Sequence, residues 1–174
     1  MSVQAWLCVS IEQQRLWRVR GRPNAAMTWA QIQDNSDWTC QISSGRRGVG
    51  QAKNSGQTPL GWHQIRAKIG EGQPINTVFK GRRPTGEIYS PALGARFPDR
   101  DWILTRILWL SGLEPGVNRL GDKDTMQRFI YIHGTPETEP MGRPLSHGCI
   151  RLHNQAMCQL FDRVIPGMRV WVGV

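Results

Sequence analysis

No stretch of this chain stays apolar for long. "AWLCVSI" at 5–11 and "QRLWRVR" at 14–20 flank the polar "EQQ" and read as an opening hairpin. Further on, "MTWAQIQ" (27–33), "WTCQIS" (38–43), "LGWHQIRAKI" (60–69), "TVFKG" (77–81) and "RFIYIHG" (128–134) are short runs closed by Gly, Pro, Asn or Asp, and each is expected to be a strand. With 19 glycines and 11 prolines interrupting the sequence, a mainly β architecture is favoured over a helical bundle.

Two segments are less uniform. "DWILTRILWLSGL" (101–113) carries apolar residues on both helical and continuous spacing, so strand and buried helix both fit its pattern. The stretch from Gly70 to Asp101 is dense in Gly and Pro and is expected to run over one end of the sheet. The C-terminus is plainer. Asn154 is placed to cap a helix whose Ala156, Leu160 and Val164 share a stripe, with Met157 and Phe161 beside them, until Pro166-Gly167 stops it. "RVWVGV" then alternates as a last strand. The 174 residues, 39% hydrophobic and 20% charged, suit one folded domain spanning 1–174, without internal repeat or linker.

The formal charge of +9 invites a nucleic-acid reading. The basic "GRR" triplets at 45–47 and 81–83 lie in turn-like sequence, however, and no helix-turn-helix, zinc-finger or RNA-binding-sheet pattern presents them. Solvated loops, or attraction of a small acidic substrate, explain them as well. Neither nucleic acid nor membrane is therefore expected as a partner: no run of about 18 apolar residues is present to span a bilayer. The N-terminal "MSVQAWLCVSIEQQ" lacks the basic region and cleavage site of an export signal, which leads to the expectation of a cytoplasmic protein. There Cys8, Cys40, Cys149 and Cys158 would be free thiols. The eight tryptophans are expected to pack in the core rather than stack on sugar.

Cys149 stands in "RPLSHGCIRLHN" (143–154). A thiol becomes a nucleophile when an imidazole takes its proton and positive potential steadies the thiolate. His133 closes the strand "RFIYIHG", a rigid place from which to do so. Gly148 frees the backbone so that amides near Cys149 can form an oxyanion hole. Arg151, two residues on in extended chain, falls on the same face as Cys149 and is a candidate to grip a substrate carboxylate bidentately, with Arg143 a second candidate. By themselves these residues also fit a buried structural thiol. His147, Cys149, His153 and Cys158 can be written as a zinc set, but their spacing lacks the paired knuckles that close such sites. No metal or other cofactor is expected. His63 and His153 read as strand and surface residues, and Cys8, Cys40 and Cys158 as small core residues.

Taken together, "IHG" at 132–134 and "SHGCIRL" at 146–152 resemble the signature of the L,D-transpeptidase catalytic domain, the YkuD type. "ISSGRRG" (42–48), "TPLGWHQI" (58–65) and "PGMRVWV" (166–172) are similar to further segments of that family, and only about 70–128 is unfamiliar. The resemblance implies a YkuD-like β-sandwich with few short helices, one of them following the catalytic cysteine. It implies Cys149 as nucleophile, His133 as base and then acid, the Gly134 carbonyl as the group orienting His133, and His147 as a further member of the catalytic set. Ser146 and Gly148 would shape the oxyanion site, and Arg151 or Arg143 would meet the substrate.

The family acts on the bond between the third residue, usually meso-diaminopimelate, and the terminal D-Ala of a peptidoglycan tetrapeptide. With a cytoplasmic setting expected, the resemblance points to an L,D-carboxypeptidase that trims muropeptide or murein tetrapeptides to tripeptides in peptidoglycan recycling. The alternative is an L,D-transpeptidase that crosslinks stems or exchanges terminal D-amino acids. A non-catalytic wall-binding or zinc-binding module is a remoter reading. Carbapenem-type β-lactams are expected to acylate Cys149.

Overall fold

The structure, a computed structural model, describes residues 4–174. The opening hairpin forms as β1 (Ala5–Ser10) and β2 (Arg15–Arg20), with Cys8 opposite Trp17. On the far side of β2 lies β3 (Ser36–Gln41). Between them "MTWAQIQ" is not a strand. Its residues enter a short helix, α1 (Trp29–Asn35), because Thr28 and Gln31 make a reciprocal cap: Thr28 Oγ1 accepts the Gln31 N–H at 3.2 Å, and Gln31 Oε1 accepts the Thr28 N–H at 2.9 Å. That pairing of Thr with Gln three residues later outweighs the alternation of apolar residues, of which only Ile32 is buried within the helix.

The remaining strands are β4 (Gly61–Ile69), β5 (Thr77–Lys80), β6 (Arg83–Ile88), β7 (Ile103–Gly112), β8 (Tyr131–Thr135), β9 (Ile150–His153) and β10 (Arg169–Gly173), with α2 (Pro91–Arg96) before β7 and α3 (Asn154–Arg163) after β9. All ten strands join one curled sheet in the order β3-β2-β1-β10-β4-β7-β5-β6, with β8 and β9 branching from β7. The segment of ambiguous period is therefore a strand, and the hub of the sheet: β7 pairs with β4, β5 and β8. Most of its residues are buried, which accounts for a sequence without clean alternation. The Gly70 to Asp101 excursion contributes the β5–β6 hairpin and α2, so part of it extends the sheet rather than only crossing its end.

The sheet curls around a core of Leu7, Val9, Leu16, Ile65, Leu108, Leu110, Ile132 and Ile150, closed by Met157, Leu160 and Phe161 of α3. Burial of each such side chain contributes about 1.5–3 kcal/mol. A second layer under α1 gathers Trp6, Trp17 and Ile32 with half-buried Trp29, Trp62 and Trp171, so most of the tryptophans serve packing. Asn154 is the first residue of α3 rather than its cap; His153 holds the cap position without a side-chain bond. The Asn154 side chain turns inward, accepting from Thr105 Oγ1 at 2.6 Å and donating to the Thr135 carbonyl at 3.0 Å, which ties α3 to β7 and β8. No helix is long and apolar enough to cross a membrane.

Candidate active site

β8 and β9 run parallel, with Ile132 opposite Ile150 and His133 opposite Arg151. Since neighbours along a strand point to opposite faces, Ile132, Ile150 and Leu152 fill the core, while Tyr131, His133, Cys149 and Arg151 share the other face. The chain thus carries the thiol and the imidazole to one place by strand register.

Cys149 precedes the first residue of β9, and its Sγ accepts the Tyr131 N–H at 3.3 Å, with the Phe129 carbonyl 3.5 Å away. Burial pushes its thiol up to about 12, against the pull of the Tyr131 amide and of Arg151 and Arg128. The resting group is a thiol that needs a base. His133 is buried, and its Nδ1–H donates to the Gly134 carbonyl at 2.6 Å, leaving Nε2 as the basic nitrogen. Burial holds His133 below the ordinary imidazole range, with Asp101 the main opposing influence. Gly134 lies within β8. It is glycine because a Cβ there would stand 2.4 Å from Asn154 Oδ1 and 2.6 Å from the Leu104 carbonyl.

The loop before the cysteine is stitched from beneath. Ser146 is fully buried; its Oγ accepts the Gly148 N–H at 3.1 Å and donates to the Cys149 carbonyl. The Gly148 amide is therefore engaged by Ser146 rather than free for an oxyanion. Gly148 itself has φ +120°, a backbone closed to most other residues. Thr58 Oγ1 donates to the Gly148 carbonyl at 2.9 Å and accepts the Gly45 N–H at 2.8 Å. Ser43 exchanges backbone bonds with Arg151, and Gly45 bridges to Ser146. The separate segments "ISSGRRG" and "TPLG" thus meet under one loop.

Arg151 departs from its expected role. The residue is only 7% exposed and two of its three guanidinium nitrogens are engaged inside the protein: Nη2 donates to Asp101 Oδ1 at 2.8 Å, and Nη1 lies 3.5 Å from Glu139 Oε2, while the buried Nε has no partner among the described residues. No free fork remains for a substrate carboxylate. Arg143 is exposed and outside the cavities around Cys149. His147 is exposed, with Nδ1 3.3 Å from Asp101 Oδ2.

Asp101 escaped the sequence reading, since nothing in "FPDRDW" distinguishes it from a loop acid. Burial works against its charge, yet His133, Arg151 and His147 together hold it below the usual carboxylate range. A cavity of about 490 Å³ is lined by Cys149, His133, Asp101, Arg82, Arg128 and Tyr131. Around His147 it adjoins a polar cavity of about 290 Å³ that includes Arg46, Asp99 and Glu139, and a third of about 390 Å³ that includes Lys53 and Phe129.

The other candidates lie elsewhere. His63 is buried between the Gly61 carbonyl and Thr125 Oγ1. His153 packs its Nε2 against the Glu139 carbonyl. Cys8, Cys40 and Cys158 sit on β1, β3 and α3 as free cysteines. Among the described residues no three His, Cys, Asp or Glu side chains converge as a metal-ligand set.

Comparison with known proteins gives one consistent result. The YkuD family profile, described as the L,D-transpeptidase catalytic domain, matches residues 4–172. Among solved structures, L,D-transpeptidase 3 from Mycobacterium tuberculosis in complex with a faropenem-derived adduct is 17% identical, with a TM-score of 0.56 over 99% of this chain and 61% of that one. The L,D-transpeptidase of Enterococcus faecium is 16% identical, with a TM-score of 0.52 over 98% of this chain and 50% of that one. The Bacillus subtilis (strain 168) protein YqjB is 42% identical over 50 residues, 29% of this chain and 28% of its own length. This chain spans about half to three fifths of the solved structures it matches, and at such identities they establish a shared fold.

Proposed function

The chain belongs to the YkuD family of L,D-transpeptidase catalytic domains, and from that premise we propose that it is a cysteine acyl-enzyme that cleaves the L,D bond before the terminal D-Ala of peptidoglycan tetrapeptides, with water as the final acceptor. The observation that carries this reading is Cys149 and the buried, singly oriented His133 on one face of the β8–β9 pair, at a common cavity.

His133 Nε2 takes the Cys149 proton as Sγ attacks the carbonyl of the third residue. The Tyr131 N–H, already on Sγ, stabilises the negative charge that forms there. The imidazolium then gives its proton to the D-Ala nitrogen, the C–N bond breaks, and a thioester remains. Water enters, loses a proton to His133 and attacks the thioester; the tripeptide leaves and the thiol is restored. The polar 290 Å³ cavity beside the site is the proposed route by which water reaches the thioester. Soluble muropeptides in the cytoplasm are the proposed donors, which cell fractionation checks.

The test incubates the protein with disaccharide tetrapeptide and follows products by mass. Tripeptide plus free D-Ala is expected. A dominant crosslinked dimer or D-amino-acid exchange product would assign transpeptidation instead. Cys149→Ala should abolish turnover while keeping the fold, and a carbapenem should add once to the wild type and not to this variant. The faropenem-derived and imipenem complexes of the structural neighbours support that choice of probe. Turnover by folded Cys149→Ala would remove the nucleophile assignment.

A further inference from the structure

The hairpin joining β5 to β6 turns through Gly81 and Arg82 alone, since Lys80 pairs with Arg83. Both turn residues have positive φ, 55° and 65°. Such a two-residue turn matches the twist of antiparallel strands, but an arginine in it holds a backbone that side chains seldom adopt. The turn places Arg82 where its guanidinium lies 4.6 Å from the Trp109 ring centroid and 5.0 Å from that of Phe129. Its Nη1 donates to Tyr131 Oη at 3.1 Å. Lying beside a stacked Trp109–Phe129 pair and pinned at one corner, this long side chain is held without any carboxylate.

Arg82 also lines the same cavity as Cys149 and His133. The other two guanidinium groups lining that cavity are engaged elsewhere. Arg128 Nη1 donates to the carbonyls of Gly50 and Gln51, and Nη2 to Ser55 Oγ and the Gln57 carbonyl. Arg151 is paired with Asp101 and Glu139. Among the described residues Arg82 forms no ion pair, and Tyr131 Oη is the one acceptor its donors meet. A cation with unused donors, lying against two rings at the edge of a cavity that holds a nucleophile, is suited to receive an anion.

We propose that Arg82 binds the terminal carboxylate of the leaving D-residue and thereby makes the site select free peptide ends over internal or amidated ones. This assignment rests on the reading of Cys149 as the residue acylated at the L,D bond, because the carboxylate of the departing residue lies just one residue beyond the attacked carbonyl. It replaces Arg151 as the carboxylate-binding residue and leaves Arg151 as a strut under the loop.

The experiment compares a tetrapeptide ending in a free acid with its C-terminal amide, reading single-turnover release of the leaving D-Ala or D-Ala amide in wild type, Arg82→Gln and Arg82→Lys. Wild type is expected to favour the acid by about 10- to 100-fold, the span for a charge-assisted pair. Arg82→Gln should bring the ratio close to one, chiefly by slowing the acid. Arg82→Lys should keep part of the preference. Labelling of Cys149 by iodoacetamide at the wild-type rate shows that the variants retain the site. A full acid preference in Arg82→Gln overturns the assignment. Failure of wild type to cleave either peptide, with Cys149 still alkylated, overturns the peptidase reading instead. Arg82 is then judged by the same ratio for imipenem and its carboxylate ester: equal loss of discrimination in Arg82→Gln supports it, and retained discrimination removes it.

Discussion

The Nδ1–H of His133 is held 2.6 Å from the carbonyl of the very next residue, Gly134, so the backbone itself sets the imidazole tautomer. Only Nε2 is left to accept a proton, and burial keeps the ring below its ordinary range. His133→Ala should lower kcat by about 10² to 10⁴, the usual worth of a positioned acid or base. In wild type the acid limb of kcat/KM, where His133 must be neutral to act, should fall below the ordinary imidazole value of 6.5. A loss under threefold in the variant would move the role elsewhere, with His147 next in line.

A second histidine reports on stability rather than catalysis. His63 is buried and its imidazole is pushed down to about 4 by burial, with Gly61 opposing. The unfolded chain, with an ordinary histidine near 6.5, therefore binds the proton that the folded chain refuses. The sign follows: stability is full above 6.5 and falls as pH drops toward 4, by about 3 kcal/mol from this group alone. Denaturant unfolding at several pH values checks it. The loss over that window should shrink in His63→Gln, and an unchanged slope would show that other groups dominate.

Arg151 and the proposed role of Arg82 separate in kinetics. Arg151 bridges Asp101 and Glu139 from a nearly closed position, a geometry that lysine cannot copy although it keeps the charge. Arg151→Lys should cost about 1–3 kcal/mol of stability, or roughly 2–4 °C in Tm for each kcal/mol. It should also lower kcat about tenfold as the loop bearing Cys149 loosens, with KM little changed. A large rise in KM at constant kcat would return the substrate carboxylate to Arg151.

The legible part of this molecule is what the local sequence decides. Cys149 and His133 stand out because strand, glycine and thiol chemistry coincide in two short motifs, and register alone then brings them together. The helix at 29–35 was written in Thr28 and Gln31 but masked by alternating apolar residues. The strand nature of β7 is decided by three neighbours distant in sequence, which no window of thirteen residues contains. Arg151 misleads for a similar reason. Its place on the face it shares with Cys149 and His133 is local, while the partners that engage its charge arrive from Asp101, fifty residues earlier, and from Glu139. Asp101 and Arg82 acquire meaning only once the β5–β6 hairpin and the loop after α2 fold over the cavity.

Asp101 gives the sharpest test of the site's electrostatics. Its carboxylate joins Arg151 and His147 and is the chief influence opposing the burial of His133. In the proposed mechanism Cys149 passes its proton to His133, and the new imidazolium would sit in a desolvated place that also feels the positive Arg151, so that Asp101 is the group favouring its charge. In Asp101→Asn the protonated form of His133 is worse supported. The acid limb of kcat/KM should therefore move to lower pH, and the plateau should drop by about tenfold because the proton-accepting step is harder. Glu139→Gln serves as the control: it also touches Arg151 but does not act on His133, so it should leave the limb in place. A limb that stays fixed in Asp101→Asn, or moves to higher pH, would mean that the carboxylate only anchors the loop. A shift of equal size in Glu139→Gln would place the effect in Arg151 rather than in the charge beside His133.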